Sequence, residues 1–121
     1  MKRTILILLT AIISHSIIGQ PICDIKEYTI KDGLAQSIVT GLLQDDRGFM
    51  WFSTWDGINK LDGYNFKKYK SIQGDGSSMI NNRLQGIVKS KYDDIWCLTY
   101  LAKVYLFDNN TEKFIDVLGP I

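Results

Sequence analysis

The sequence repeats itself with a period of about 45 residues, a length typical of four-stranded propeller blades. Residues 40–69 align with residues 85–114, and the alignment places Trp51 on Trp96. Further matches are Gly41 with Gly86, Leu42 with Ile87, Met50 with Ile95, Trp55 with Tyr100 and, after one inserted residue, residues 58–62 with residues 104–108. The chain is therefore expected to contain two successive copies of one structural unit.

Turn residues divide each unit into four short strands. In the first unit, Asp46-Arg47-Gly48, Asp56-Gly57 and Asp62-Gly63 separate apolar runs. An Asp-Gly pair between apolar runs is a strong hairpin signal, because glycine accepts the positive φ of the primed turns. We therefore predict a primed turn at Asp56-Gly57. The predicted strands are residues 39–44, 49–55, 58–61 and 66–71 in the first unit, and residues 84–89, 95–100, 104–107 and 113–117 in the second.

The second strand of the first unit carries apolar side chains on both faces. Side chains alternate along a strand, so Trp51 and Trp55 point one way while Met50 and Phe52 point the other. A sheet with two apolar faces must be covered on both, as a blade is when it stacks between two neighbours. We predict an all-β chain of about two four-stranded antiparallel blades of an incomplete β-propeller, preceded by a signal peptide.

The first 19 residues have the pattern of a secretory signal peptide. A basic start at residues 1–3 is followed by an apolar run that ends at Ile18, which is shorter than the roughly 20 residues of a membrane-spanning helix. Cleavage is predicted after Gly19 or Ser16, with an uncleaved anchor as the alternative. Cleavage removes the only histidine, His15, so the mature chain would have no histidine base, metal ligand or phosphoacceptor.

Composition limits the partners and the chemistry of the chain. The 14 basic and 13 acidic residues give a formal net charge of +1, so no electrostatic field favours nucleic acid as a partner. Export would permit a disulfide between Cys23 and Cys97, but one lies in the N-terminal tail and the other within a strand, so we expect both to be unpaired. No cofactor and no metal ion is expected.

The predicted organisation is a signal peptide at residues 1–19, an N-terminal segment at 20–36, blade 1 at 37–81 and blade 2 at 82–121.

Four aromatic residues are candidates for stacking on a ligand. Trp51 and Trp96 lie in the middle of their strands, where packing between blades is expected. Trp55 and Tyr100 end their strands beside a turn, where a ring can reach the surface. Trp55 and Tyr100 are therefore the candidate ligand-binding residues.

Acidic residues concentrate in the turns of the first unit, where aspartate is favoured for its hydrogen bonds to the backbone. These residues are Asp45, Asp46, Asp56 and Asp62. We expect them to have structural roles, with no carboxylate pair for catalysis and no metal site. The residues expected to define the structural motif of the blades are Gly48, Trp51, Asp56, Gly57, Asp62 and Trp96.

The first unit resembles the two-component regulator propeller repeat, which occurs in the sensor regions of Bacteroidetes hybrid two-component systems. The resemblance covers residues 28–117 and is carried by motifs that stand in the family order: Asp32-Gly33-Leu34, the Asp45 to Gly48 turn, Trp51 and Asp56-Gly57-Ile58. The second unit departs from the pattern at Leu98, where the family has a small residue, and at residues 101–103, where it has a glycine turn.

The resemblance implies a periplasmic fragment of a sensor that detects glycans or oligosaccharides. In such proteins, propellers of about seven blades precede a membrane span in the inner membrane and a histidine kinase. The expected partners are an oligosaccharide, further blades and other copies of the chain, without nucleic acid. The chain itself is expected to have no catalytic residues. Two alternatives stay open: a fragment of a secreted propeller enzyme, such as a polysaccharide lyase or glycosidase, and a truncated remnant without a function of its own.

Overall fold

The computed structural model describes residues 1–5, 19 and 21–119, and it is all-β apart from short helical turns. Its eight strands form two four-stranded sheets. The strands are β1 (Val39–Gln44), β2 (Met50–Thr54), β3 (Gly57–Leu61), β4 (Phe66–Tyr69), β5 (Leu84–Lys89), β6 (Ile95–Thr99), β7 (Val104–Asp108) and β8 (Lys113–Asp116). The fold class and all eight strands are confirmed, each within two residues of its predicted bounds. The apolar run predicted as a signal sequence lies outside the described residues from residue 6 onward.

The two sheets have the same topology and the same register. The strand orders are β1-β2-β3-β4 and β5-β6-β7-β8, with every neighbouring pair antiparallel. Leu42 pairs with Phe52 in the first sheet, as Ile87 pairs with Cys97 in the second. Each first strand also has an irregularity at the same position, before Gly41 in β1 and before Gly86 in β5. We call the first sheet blade 1 and the second blade 2.

The turn between β2 and β3 differs from the predicted primed turn. Gly57 does have a positive φ of +107°. A primed turn also needs a positive φ at its first central residue, and neither Trp55 nor Asp56 is among the described residues with positive φ. Gly57 begins β3 and donates its N–H to the carbonyl of Asn82 at 2.8 Å. Asn82 lies between β4 and β5, and its hydrogen bond fixes the backbone at Gly57. The Asp-Gly pair alone therefore does not decide the turn type.

The hydrophobic core lies between the two blades. Trp51 of blade 1 is fully buried and packs edge to face on Phe107 of blade 2, with ring centroids 4.9 Å apart. Tyr69 stacks on Trp51 at 5.9 Å. Gly41 in β1 lets this strand approach β5 of blade 2, because a Cβ atom at Gly41 would lie only 3.0 Å from a methyl carbon of Ile87. Trp96 is only partly buried, so packing between two blades, predicted for both tryptophans, is present here for Trp51 alone.

The outer face of blade 1 is partly covered by the segment before β1. Leu34 of this segment is 4% exposed, and Tyr28 packs edge to face on Phe66 at 5.5 Å. The backbone N–H of Ala35 donates to Oδ1 of the buried Asn59 at 2.9 Å. The N-terminal segment therefore covers the part of blade 1 around Phe66.

The two cysteines lie in opposite environments. Cys23 is exposed, whereas Cys97 is buried in the core between the blades. Burial raises the pKa of the Cys97 thiol to about 12, and only a thiolate reacts readily with alkylating reagents.

No helix among the described residues is long and apolar enough to cross a membrane.

Iodoacetamide at neutral pH is therefore expected to modify Cys23 in the folded chain and to reach Cys97 only after unfolding. Intact mass spectrometry would show one adduct before the addition of denaturant and two after it. The Cys23→Ser variant is the control and should show none before denaturation. A second adduct on the folded chain would contradict the placement of Cys97 between the blades.

Candidate functional site

The two candidate aromatic residues lie at the same end of the two blades. Trp55 directly follows β2 and donates its backbone N–H to the carbonyl of Ile38 at 3.3 Å. Tyr100 directly follows β6 and donates in the same way to the carbonyl of Arg83 at 2.8 Å. Ile38 and Arg83 are themselves 45 positions apart, one repeat. The repeat therefore brings both rings to equivalent positions on neighbouring blades.

A third residue, Arg83, connects the two aromatic rings. The guanidinium carbon of Arg83 lies 4.0 Å from the ring centroid of Trp55 and 4.2 Å from that of Tyr100. Each distance is well within the roughly 6 Å range of a cation–π contact. Trp55 is still 41% exposed and Tyr100 55% exposed. We call this group the aromatic-arginine cluster: one cation lies over two rings, and both rings keep a large surface open to solvent.

Arg83 has no carboxylate partner among the described residues. Its Nε atom is buried without a hydrogen-bond partner. A guanidinium presents its N–H donors in one plane, in a geometry that matches carboxylates, sulfates and pairs of hydroxyl groups. The cluster thus combines apolar ring surface with donors that no residue of the described chain occupies.

Sequence reasoning found both aromatic residues but missed Arg83. Arg83 lies just before β5 and aligns with Ile38, so nothing in its own unit indicates a special role. Comparing the two units position by position would have pointed to Arg83. The second unit has an arginine where the first unit has Ile38, an apolar residue.

Asp45 has a structural role in blade 1. Its buried carboxylate accepts a hydrogen bond from the indole Nε1 of Trp51 at 2.9 Å. It also accepts the backbone N–H groups of Phe49 at 2.9 Å and Arg47 at 3.0 Å. Gly48, with φ +90°, closes the same turn by donating its N–H to the Asp45 carbonyl. This carboxylate therefore has no free oxygen facing a ligand pocket.

The other three aspartates also have partners within the chain. Asp62 accepts the backbone N–H groups of Asn65 and Tyr64, and these hydrogen bonds lower its pKa. Asp46 forms an ion pair with Lys89, and Asp56 forms one with Lys70. The four carboxylates do not converge on one point, since they belong to three different turns. In the part of the chain that the structure describes, no group of three or more His, Cys, Asp or Glu residues could hold a metal ion.

Comparisons with known proteins agree with this architecture. Residues 33–56 match the family model described as two component regulator propeller. A stretch of 54 residues is 44% identical to histidine kinase P4 of Formosa agariphila, covering 45% of this chain and 4% of the kinase. The chain thus spans a small part of the length of this relative.

Two solved structures have the same fold. The extracellular domain of the putative hybrid two component system BT3049 from B. thetaiotaomicron superposes with a TM-score of 0.68 and is 30% identical, covering 75% of this chain and 13% of that domain. The extracellular domain of the putative one component system BT4673 from the same organism gives a TM-score of 0.61 at 22% identity, over 77% of this chain and 13% of that domain. Together with the family model over residues 33–56, these matches confirm the resemblance found in the sequence: the chain is similar to two-component regulator propellers.

Proposed function

We propose that this chain is part of the ligand-sensing β-propeller of a hybrid two-component sensor, and that the ligand is an oligosaccharide. The observation that carries the proposal is the aromatic-arginine cluster of Trp55, Arg83 and Tyr100. The similarity to the extracellular domain of a putative hybrid two component system and to a histidine kinase supports the sensor role.

The chemistry of the cluster suits a sugar. The apolar face of a pyranose ring packs on an aromatic side chain, and Trp55 and Tyr100 keep 41% and 55% of their surface exposed for such a contact. Specificity in small-ligand sites comes from a few placed polar groups, and the unpaired N–H donors of Arg83 can serve hydroxyl or carboxylate groups of the ligand. Residues of neighbouring blades at the same end of the propeller would complete the site.

The proposal includes the location and the organisation of the chain. Residues 1–19 act as the signal peptide, so that the segment at residues 20–36, blade 1 at residues 37–81 and blade 2 at residues 82–121 lie in the periplasm. The parent protein is anchored in the inner membrane and carries the histidine kinase. Catalysis then belongs to the kinase module and not to these blades.

A secreted lyase or glycosidase fits the described residues less well. Glycoside hydrolysis uses two carboxyl groups that flank one bond. The four turn aspartates of blade 1 instead bind backbone N–H groups or lysine side chains of their own chain. Reading the gene past the codon for Ile121 would decide between the two classes. Further 45-residue repeats, a membrane span and a kinase module support the sensor, and hydrolase or lyase motifs would contradict it.

Trp55→Ala is expected to weaken oligosaccharide binding about tenfold, because it removes one of the two exposed rings of the cluster. The measurement is isothermal titration calorimetry on the protein encoded by the complete reading frame. The ligands are oligosaccharides of arabinan, galactan, mannan and polygalacturonate. Trp55→Phe should retain most of the affinity.

The matched control for Trp55→Ala is Tyr64→Ala. Tyr64 is an aromatic residue that is 91% exposed, and it lies in the turn between β3 and β4, at the other end of blade 1. Its removal should leave the affinity unchanged. Equal losses in both variants, or full affinity in Trp55→Ala, would place the ligand elsewhere.

A further inference from the structure

The aromatic-arginine cluster carries a positive charge that no acidic group of the described chain balances. We infer that the saccharide bound at this cluster is anionic, and that its carboxylate or sulfate group binds the guanidinium of Arg83 while a sugar ring packs on Trp55 or Tyr100. This inference rests on the proposed function and narrows it from oligosaccharides in general to acidic ones.

The other charges beside the two rings cancel in pairs. Asp56, in the turn after β2, forms an ion pair with Lys70. Lys103, in the turn after β6, forms one with Asp116 at 3.0 Å. Arg83 takes part in none of the ion pairs in the described part of the chain. The cluster therefore has a net positive charge, which attracts an anion.

The guanidinium of Arg83 is also poorly hydrated. Arg83 is partly buried, and its Nε atom is buried without a hydrogen-bond partner. The rings of Trp55 and Tyr100 lie against the same guanidinium and exclude further water. A neutral ligand that covered the rings would remove more water and supply no charge in return. An anionic ligand supplies that charge, and hydrogen bonds between charged groups are stronger than those between neutral ones.

Both blades hold the backbone around Arg83 in place. The Arg83 carbonyl accepts the N–H of Tyr100 in the turn of blade 2 at 2.8 Å, and the Arg83 N–H donates to Oδ1 of Asn81 at 2.6 Å. The carbonyl of Asn82 accepts the N–H of Gly57 of blade 1 at 2.8 Å. A group that is already fixed loses little freedom when a ligand binds. The cation is therefore positioned before the ligand arrives.

A guanidinium recognises a carboxylate or a sulfate by shape as well as by charge. Its N–H donors lie in one plane, and two of them can bind two oxygens of the same anionic group. The guanidinium carbon of Arg83 lies 4.0 Å from the ring centroid of Trp55 and 4.2 Å from that of Tyr100. One acidic sugar can therefore contact the cation and an aromatic ring at the same time.

Matched pairs of saccharides test the charge of the ligand without any change in the protein. Isothermal titration calorimetry on the protein encoded by the complete reading frame compares trigalacturonate with its methyl ester, and a sulfated galactan tetrasaccharide with its desulfated form. The first pair reports on a carboxylate and the second on a sulfate. In at least one pair, the charged member is expected to bind at least about tenfold more tightly than the neutral one. Equal affinities within both pairs, or tighter binding of the neutral members, would overturn the inference.

Substitutions of Arg83 test where the charge is recognised. Arg83→Gln should weaken binding of the charged saccharide at least about tenfold and change binding of its neutral partner by less than about twofold. Arg83→Lys should retain part of the preference, because lysine keeps the charge but lacks the planar set of donors. Circular dichroism checks that both variants are folded. A preference that survives in Arg83→Gln would place the anion at another residue and contradict the inference.

Arg47→Gln is the matched control for Arg83→Gln. The guanidinium carbon of Arg47 also lies over an aromatic ring, 5.2 Å from the centroid of Phe49. Arg47 differs in having the carboxylate of Asp45 at 3.7 Å, and it lies in the turn between β1 and β2, at the other end of blade 1. Its substitution should leave both affinities unchanged. Equal losses in the two variants would mean that the preference follows the net charge of the protein and not the cluster.

Trp55→Ala separates a failure of this inference from a failure of the proposed function. If Trp55→Ala weakens the binding of charged and neutral saccharides while Arg83→Gln weakens neither, the cluster binds sugars and the inference of an anionic ligand is wrong. If no saccharide binds in a way that depends on Trp55, the proposed function is wrong and the inference is lost with it. Losses in both variants, with the charge preference lost in Arg83→Gln, would support both.

Discussion

The Gly57→Val variant is expected to lose about 3 to 5 kcal/mol of stability, because two separate penalties apply. Gly57 has φ +107°, a conformation that a β-branched residue adopts only with strain. A Cβ atom at this position would also lie 2.5 Å from the carbonyl oxygen of Tyr69 on the neighbouring strand. Relieving that collision would separate β3 from β4. Native domains are stable by only about 5 to 15 kcal/mol, so much of the folded state would be lost.

Gly63→Val separates the two penalties. Gly63 has φ +101°, but no atom lies within 4 Å of the place where its Cβ would be. The variant should therefore lose only about 1 to 3 kcal/mol from backbone strain. Urea denaturation followed by tryptophan fluorescence measures both changes. Equal losses in the two variants would mean that the close approach of Gly57 to Tyr69 is absent.

Gly41→Ala is expected to lose about 1 to 3 kcal/mol, through crowding at the contact between the blades. The added Cβ would lie 2.8 Å from Oγ of Ser53, 3.0 Å from Cγ2 of Ile87 and 3.1 Å from the Ile87 backbone nitrogen. Two of these three atoms belong to blade 2. To relieve this crowding, β1 and β5 must move apart or the Ile87 side chain must leave its position over blade 1.

The same substitution at the equivalent position of blade 2 should behave differently. At Gly86 the new Cβ meets no atom, and the residue is not among those with positive φ. Replacing such a glycine by alanine usually stabilises by about 0.4 to 1 kcal/mol, since the unfolded chain loses freedom. Urea denaturation followed by tryptophan fluorescence measures both variants. Similar losses at the two glycines would contradict the described contact between the blades.

The strands could be predicted because their signals are local. Alternation of side chains and Asp-Gly turns act within a few residues, and β1 and β5 begin and end where the sequence indicated. The turn at Asp56-Gly57 was predicted wrongly in type. Its backbone is fixed by a hydrogen bond from Gly57 to Asn82, 25 positions further along the chain, and no local pattern contains that contact.

The candidate site was predictable only in part, for a similar reason. Trp55 and Tyr100 could be placed at turns from their positions at strand ends. Arg83 was missed, because its contact with the Trp55 ring exists only once blade 2 has docked on blade 1. The packing of Tyr28 on Phe66 was missed as well, because residues before the first strand have no counterpart in the second unit.

The hydrogen bond between Trp51 and Asp45 has a consequence for the order of folding. The carboxylate that closes the hairpin of β1 and β2 also holds the indole that enters blade 2. A hairpin closes over a short loop and forms in microseconds, whereas contacts between distant segments form more slowly. Because Asp45 and Trp51 belong to the same hairpin, we expect their hydrogen bond to form without the help of blade 2. In blade 2 the aligned residue is Ser90, whose hydroxyl bonds to Asp94 and to backbone N–H groups of its own turn. We therefore expect the β1–β2 hairpin to hold its indole in place by a local contact that the turn of Ser90 does not provide.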